Sequence, residues 1–485
     1  MSHDQNVVMI GIDSADAVSV EGFLPQLPHL RGLAKGGGLR RLRSPAGVMS
    51  ASVWPTFYTG TPPGEHGYYF PMQWEPESMR LRRASDDWLY REPFWYELSR
   101  KGLPVTAFDV QTAFPSRIAR GVEITNWGAQ SFCELHTNRP DLVKDLLARF
   151  GRHPMGPDVP ARKTPRRLTA IRRDLLEGAR RRGDVSLWLL RQTEWRLFIT
   201  VFVEVHRAGH NLWPNGTSDG PLPCRGDLFD VYRAVDAEIG RILAELDLER
   251  TTVVVFSLHG MGANDAQMHF LPGLMDRLNA TFLKTYLPGA PSSPTQRSLM
   301  RRLRERVPSE VQELVGRWTP DGIRDWVVSH AMGGGFDWSR TPGFALPTGG
   351  EGYIRCSLRG REGEGLLPAG GELHERYLEH LTRECRALRI VESGAALVRD
   401  VVFPSADFPG SHSRLLPDVS LRWSGEPPAT EIHSAGLGTL RCEPDTGRGG
   451  NHRGGGFAIV AGARAGAIQA PADIMDFAAL VPHLL

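Results

Sequence analysis

Six short, predominantly apolar runs recur along the chain, at residues 7–12, 105–108, 197–203, 252–257, 419–423 and 457–461, and they constrain its fold more than any other feature. Between them lie stretches with apolar residues at helical spacing. Within residues 227–246, just ahead of the fourth run, Leu228, Val231, Val235, Ile239 and Leu243 mark one helical face. Strands without a polar face are buried on both sides, which requires helices over both faces of their sheet. The pattern therefore predicts an α/β fold: a mostly parallel central β-sheet with helices on both faces. No internal repeat or long low-complexity linker calls for a second unit, so residues 1–485 are read as one domain. Two segments break the alternation. Residues 140–192 hold the basic helical stretch "ARKTPRRLTAIRRDLLEGARRRGD", and residues 265–335 hold "RSLMRRLRERVPSEVQELVGRW". Both read as helical insertions that cap the sheet's edge.

The arginine-rich helices invite a nucleic-acid reading, but Leu and Ile at helical spacing and interspersed Asp and Glu make them solvated helix faces. A formal net charge of +2 agrees, so no nucleic-acid partner is expected. No stretch approaches the roughly 18 consecutive apolar residues of a membrane span. Five cysteines without a close-spaced pair suit a reducing compartment. With no basic and apolar leader ahead of the first run, a cytoplasmic location is expected.

In an open parallel sheet, ligands collect beyond the carboxyl ends of the strands. The residues placed there are chemically selective. "GIDSAD" puts Asp13 just past the first run. "FVEVHRAGHNLWP" puts His206 and His210 after the third, and "SLHGMG" puts His259 after the fourth. "GGNHRGGG" puts His452 and Arg453 just before the last run. Two imidazoles at i and i+4 share a helix face and can meet one ion. Four distant segments bringing imidazole or carboxylate to one crevice point to a metal site. A fifth, "SPAGVMSASVWPTFYTGTPPGEHGYYF", offers Ser50 and Ser52 ahead of turn residues. A serine hydroxyl is a poor nucleophile at neutral pH, and a divalent cation is one way to activate it.

The order "GIDSAD", "SASVWPTFYTG" with "PGEHG", "EVHRAGH", "SLHGMG" and "NHRGGG" resembles the type I phosphodiesterase/nucleotide pyrophosphatase branch of the alkaline phosphatase superfamily. The stretches "FDWSRTPGFAL", "EGYIRCSLRGREGEG" and "LPDVSLRW" are similar to later segments of that branch. The resemblance implies an alkaline phosphatase-like sheet, two divalent metal ions, usually zinc, and a Ser or Thr nucleophile. Position by position it makes Asp13, His206, His210, His259 and His452 metal ligands. Ser50 becomes both nucleophile and ligand, with Ser52 the fallback. Against the family pattern, His206 stands where an aspartate is usual, and Leu258 replaces the aspartate of Asp-His-Gly. One site would then be the neutral trio His206, His210 and His452, suited to zinc, iron or another nitrogen-preferring ion. The other, Asp13, Ser50 and His259, loses charge, so its ion is expected to be held weakly.

The expected activity is hydrolysis or transfer of a phosphate ester through a covalent Ser50 intermediate, with Arg453 and a cap arginine neutralising substrate oxygens. A small anionic ester is the expected partner. Two alternatives stand beside it: a mononuclear three-histidine metalloenzyme acting on a sulfate, sulfamate or other group, and a non-catalytic binding relative.

Overall fold

The computed structural model describes residues 5–485 apart from 86–87, 112–113, 115–116, 129–134, 157–162, 215–221, 288–335 and 445–446. Eight strands form the central sheet: β1 (Asn6–Ile12), β2 (Arg40–Leu42), β3 (Val105–Phe108), β4 (Gly121–Thr125), β5 (His136–Thr137), β6 (Leu197–Phe202), β7 (Thr251–Ser257) and β8 (Gly456–Gly462). Their spatial order is β2-β8-β7-β1-β6-β3-β4-β5. The inner five, from β7 to β4, are parallel. β8 and β2 on one side and β5 on the other run antiparallel to their neighbours.

Alternation along β1 shows why the runs are apolar throughout. Val8, Ile10 and Ile12 enter one core with Leu175, Val235 and Ile239, whereas Val7 and Met9 enter the opposite core with Val53, Phe57 and Phe477. Each face thus demands its own apolar set. The helices that supply apolar residues to the cores include α1 (Val53–Thr59), α2 (Pro165–Gln192), α3 (Glu204–Leu212), α4 (Asp227–Leu243) and α5 (Leu271–Tyr286). The 28-residue α2 starts with Thr164 as N-cap, accepting from Arg167 N, and Pro165 at its first turn, both ordinary start signals. Its outer arginines meet acids, as in Arg180 with Glu177 and Asp184. Its inner face packs on α4 and α3.

The run at residues 419–423 departs from expectation. It forms a strand, but in a separate antiparallel sheet with Gly343–Ala345, Gly352–Cys356 and Val398–Val402. That sheet shares a third apolar core with α5 and the helix Glu372–Ala387. Val419, Leu421 and Trp423 enter that core, so the run carries the apolar residues of a buried strand, although Ser420 and Arg422 on its other face are polar. Of the segment 265–335, α5 is described and residues 288–335 lie outside the described residues. Among the described residues no helix is long and apolar enough to cross a membrane.

Candidate functional site

The last strand explains how four distant segments reach one place. β8 runs antiparallel to β7, with Phe457 opposite Ser257, so its entry lies at the carboxyl end of the parallel strands. His452 therefore arrives where β1, β6 and β7 exit. It sits on Gly450–Arg453, paired antiparallel with Gly260–Ala263, and lies opposite Met261. Helix α3 starts directly after β6, and every one of its residues is buried.

The five ligand-type residues form one cluster. Nε2 of His206 lies 2.9 Å from Nε2 of His210 and 2.9 Å from Nε2 of His452. On the far side of its ring, His206 Nδ1 is 2.6 Å from Asp13 Oδ2. His210 Nδ1 is 2.9 Å from the Gly450 carbonyl. That oxygen can only accept, so Nδ1 carries the proton and Nε2 of neutral His210 presents a lone pair. The Asp13 carboxylate fixes His206 in the same tautomer. Two lone pairs thus face each other at 2.9 Å, an arrangement that a shared cation makes favourable.

Electrostatics agree. Burial foremost holds His206, His210 and His452 below the usual histidine range, which keeps them neutral as cation ligands require. Burial pushes Asp13 the other way, toward protonation, but contacts with His206 and His259 outweigh it and hold the carboxyl well below its usual range. The donor set, three imidazoles with a hydrogen-bonded carboxylate and carbonyl behind them, fits a nitrogen-preferring divalent ion. A close backbone approach makes it possible: a Cβ on Gly450 would lie 2.4 Å from the Gly209 carbonyl.

The second ligand group, Asp13, His206 and His259, is equally compact, but its parts are engaged elsewhere. Asp13 Oδ1 accepts from Trp54 Nε1 at 3.1 Å and lies 3.4 Å from His259 Nε2. The His206 nitrogen facing it is Nδ1, which keeps its proton if Nε2 is to serve the trio. Leu258, where an aspartate is usual, is 1% exposed and part of the apolar core with Trp54 and Phe256. Glu204 and Asp265, the nearby carboxylates that could replace the missing charge, are occupied: Glu204 by Arg182 and His153, Asp265 by Arg453.

Ser50 lies on a segment joined to the cluster through Asp13. It opens the short turn Ser50–Ser52 ahead of α1, and Trp54 ties that segment to Asp13. Its backbone N–H donates to Glu351 Oε1 at 2.7 Å, and Glu351 Oε2 accepts from Thr348 Oγ1 at 2.9 Å. The two serines differ: Ser52 Oγ donates to the Met49 carbonyl at 2.7 Å, whereas among the described residues no group hydrogen-bonds Ser50 Oγ. Arg453 stands differently from expectation. Strand alternation sets it opposite to His452, where it donates to Asp265 Oδ1 at 2.8 Å and to the Ala263 carbonyl at 2.7 Å.

Known proteins share this arrangement's framework. A family model described as type I phosphodiesterase / nucleotide pyrophosphatase matches residues 7–338. The chain belongs to that family. It is accordingly a phosphoric ester hydrolase, of a family whose members depend on divalent ions. Two structures of phosphonoacetate hydrolase from Sinorhizobium meliloti, in complex with phosphonoacetate and with phosphonoformate, are similar at 13% identity, covering 99% of this chain and 96% of theirs, with TM-scores of 0.55 and 0.53. Murine ectonucleotide pyrophosphatase / phosphodiesterase 5 is similar at 13% identity over 99% of this chain and 94% of its own, with a TM-score of 0.49. No curated protein matches. The phosphonoacetate hydrolase likeness supports an alkaline phosphatase-like fold. Sequence reasoning missed Glu351 and Arg448, the latter donating to the Gly349 carbonyl at 2.9 Å. The stretch "EGYIRCSLRGREGEG" begins at Glu351, and its likeness to the family was the available signal.

Proposed function

We propose that this chain cleaves small anionic phosphate esters through a phosphoseryl intermediate on Ser50, with one tightly held divalent ion, zinc by preference, on His206, His210 and His452. The observation that carries the reading is the convergence of three imidazole Nε2 atoms, two of them backed by hydrogen-bonded Nδ1–H groups. When bound there, such an ion supplies Lewis-acid stabilisation of phosphoryl charge.

The chain's own groups do the rest. Ser50 Oγ, which no group of the described residues hydrogen-bonds, forms the bond to phosphorus in line with the departing ester oxygen, which leaves as the alcohol carrying the proton that Ser50 gives up. Glu351 and Thr348 fix the backbone from which the hydroxyl projects. Asp13 holds the His206 ring in orientation and tautomer. Water then attacks the phosphoserine, and Ser50 Oγ regains its proton as the phosphoryl group leaves. A second ion at Asp13 and His259 would compete with Trp54 and with the His206 Nδ1 proton, which favours unequal occupancy.

Elemental analysis of protein purified without chelator, paired with a screen of phosphomonoesters, phosphodiesters and sulfate esters, tests the reading. About one equivalent of metal and turnover of a phosphate ester are expected. Ser50→Ala should abolish turnover with metal content retained, and Ser52→Ala should retain turnover. Two full equivalents would overturn the single-ion part. Activity in Ser50→Ala with loss in Ser52→Ala would move the nucleophile.

A further inference from the structure

We infer that Glu351 is a specificity-determining residue whose charge weighs against phosphoryl groups carrying two negative charges, an inference that rests on the phosphate-ester reading of the site. Its side chain stands against the nucleophile's own backbone: Oε1 accepts from Ser50 N at 2.7 Å. The other oxygen borders the same space as the hydroxyl. A Cβ built on Gly349 would lie 3.6 Å from Ser50 Oγ and 4.0 Å from Glu351 Oε2. Oε2 accepts from Thr348 Oγ1 at 2.9 Å, and that hydroxyl in turn accepts from Gly350 N at 3.2 Å. Both oxygens of Glu351 thus accept, which is the bonding of a carboxylate. Among the described residues no Lys, Arg or His forms an ion pair with it.

The loop that carries Glu351 is fastened on several sides, which keeps the charge beside Ser50. Trp423 Nε1 donates to the Gly350 carbonyl at 2.6 Å. Arg448 Nη1 donates to the Gly349 carbonyl at 2.9 Å, and the next residue, Gly449, donates from N to the His210 carbonyl at 2.8 Å. A Cβ on Gly350 would lie 2.5 Å from Asn451 Oδ1, so the loop is pressed against the strand that bears His452. A phosphoryl group joined to Ser50 Oγ therefore sits near a fixed anion. Covalent geometry within Ser50 keeps its phosphorus within about 8 Å of Glu351 Oε1, and at that distance each added negative charge is disfavoured by on the order of tenfold or more. A diester brings one negative charge to Ser50, whereas a monoester above its second ionisation brings two. Cations of the site attract the monoester more strongly than the diester. The contribution of Glu351 is therefore read as a change in the ratio of the two activities when its charge is removed.

The test compares kcat/KM for bis(4-nitrophenyl) phosphate with kcat/KM for 4-nitrophenyl phosphate at about pH 8, where the monoester is dianionic. It uses zinc-loaded wild-type protein, Glu351→Gln and Glu351→Ala, with rates taken per bound zinc. Glutamine keeps an oxygen that can accept from Ser50 N–H and removes the charge. The diester-to-monoester ratio is expected to fall about tenfold in Glu351→Gln, the monoester gaining on the diester. A ratio within about threefold of wild type overturns the inference, because a purely structural role lowers both activities together. If wild type leaves the monoester untouched, monoester turnover is expected to appear in Glu351→Gln, and its absence overturns the inference. Turnover of the monoester alone by wild type overturns it as well. If Glu351→Gln does not fold, Glu351→Ala decides by the same ratio. Failure of zinc-loaded wild-type protein to turn over either ester would instead bring down the phosphate-ester reading.

Discussion

The chemistry of single residues here is set by what stands behind them. His206 differs from a solvent-facing histidine because Asp13 Oδ2 holds its Nδ1 at 2.6 Å, which leaves one nitrogen for an ion and fixes its direction. Asp13→Asn keeps an oxygen that can accept from Nδ1–H but removes the charge that makes the ring a stronger donor. Metal affinity should fall by about 10- to 100-fold, the usual effect of removing a partner behind a ligand, as read by competition with a chromophoric chelator. Unchanged affinity would mean that Asp13 does not act through His206. The imidazoles and Asp13 were legible in the sequence because strand ends place their residues directly. Arg448 and Glu351 were not, since an arginine or glutamate in a loop has no spacing that distinguishes it from solvated neighbours.

At the scale of elements, helix α3 is held by a buried charge cluster. Arg182 of α2, fully buried, donates from Nε to Glu204 Oε1 at 2.9 Å and from Nη1 to Asp109 Oδ2 at 2.8 Å. His153 Nε2 meets Glu204 Oε1 at 2.9 Å. Burial works to raise the Glu204 pKa, but Arg182 and His153 prevail and push it down to about 2. Removing the shared cation strands two buried carboxylates. Arg182→Met should therefore destabilise by about 3–5 kcal/mol in chemical denaturation, and it should loosen the metal site because Glu204 is the first residue of the helix bearing His206 and His210. A loss under about 1 kcal/mol, well short of the cost of an unpaired buried charge, would show that water or a rearranged neighbour replaces the guanidinium. The arginine run of α2 reads from sequence as a solvated face, which describes Arg180 and Arg172 but not Arg182. Arg182 differs by facing inward, toward groups that follow β3 and begin α3, which local periodicity does not reveal.

Across the whole molecule, buried titratable groups make the metal-free protein acid-sensitive in two stages. Burial drives the pKa of His66, fully enclosed beside Thr56, from 6.5 down to about 3, and the three cluster histidines are lowered as well. A histidine depressed in the folded state contributes stability that is present above its unfolded pKa and is lost as pH falls below about 6.5. Glu204, lowered from 4.5 to about 2, adds a second loss as pH drops below 4.5. In both windows the unfolded chain binds more protons, so stability rises with pH. The melting temperature of chelator-treated protein should decline from about pH 6.5 and more steeply below about pH 4.5. A flat profile across the first of these windows would show that these histidines are not neutral and enclosed.

The amino-acid sequence by itself determined the alternation of buried strands and helices, and with it which residues follow each strand, because side-chain periodicity and strand burial are local consequences of residue order. That was enough to bring Asp13, His206, His210, His259 and His452 to one crevice. It could not tell a covered antiparallel strand from a central one, as residues 419–423 illustrate, since Val419, Leu421 and Trp423 enter an apolar core just as central-strand residues do. Only the tertiary structure decided the rest: that Arg453 turns to Asp265, that Glu351 meets Ser50 across 301 residues of chain, and that Arg448 links Gly349 to the segment beside His210. Such pairings follow from long-range packing, and no spacing within one segment encodes them.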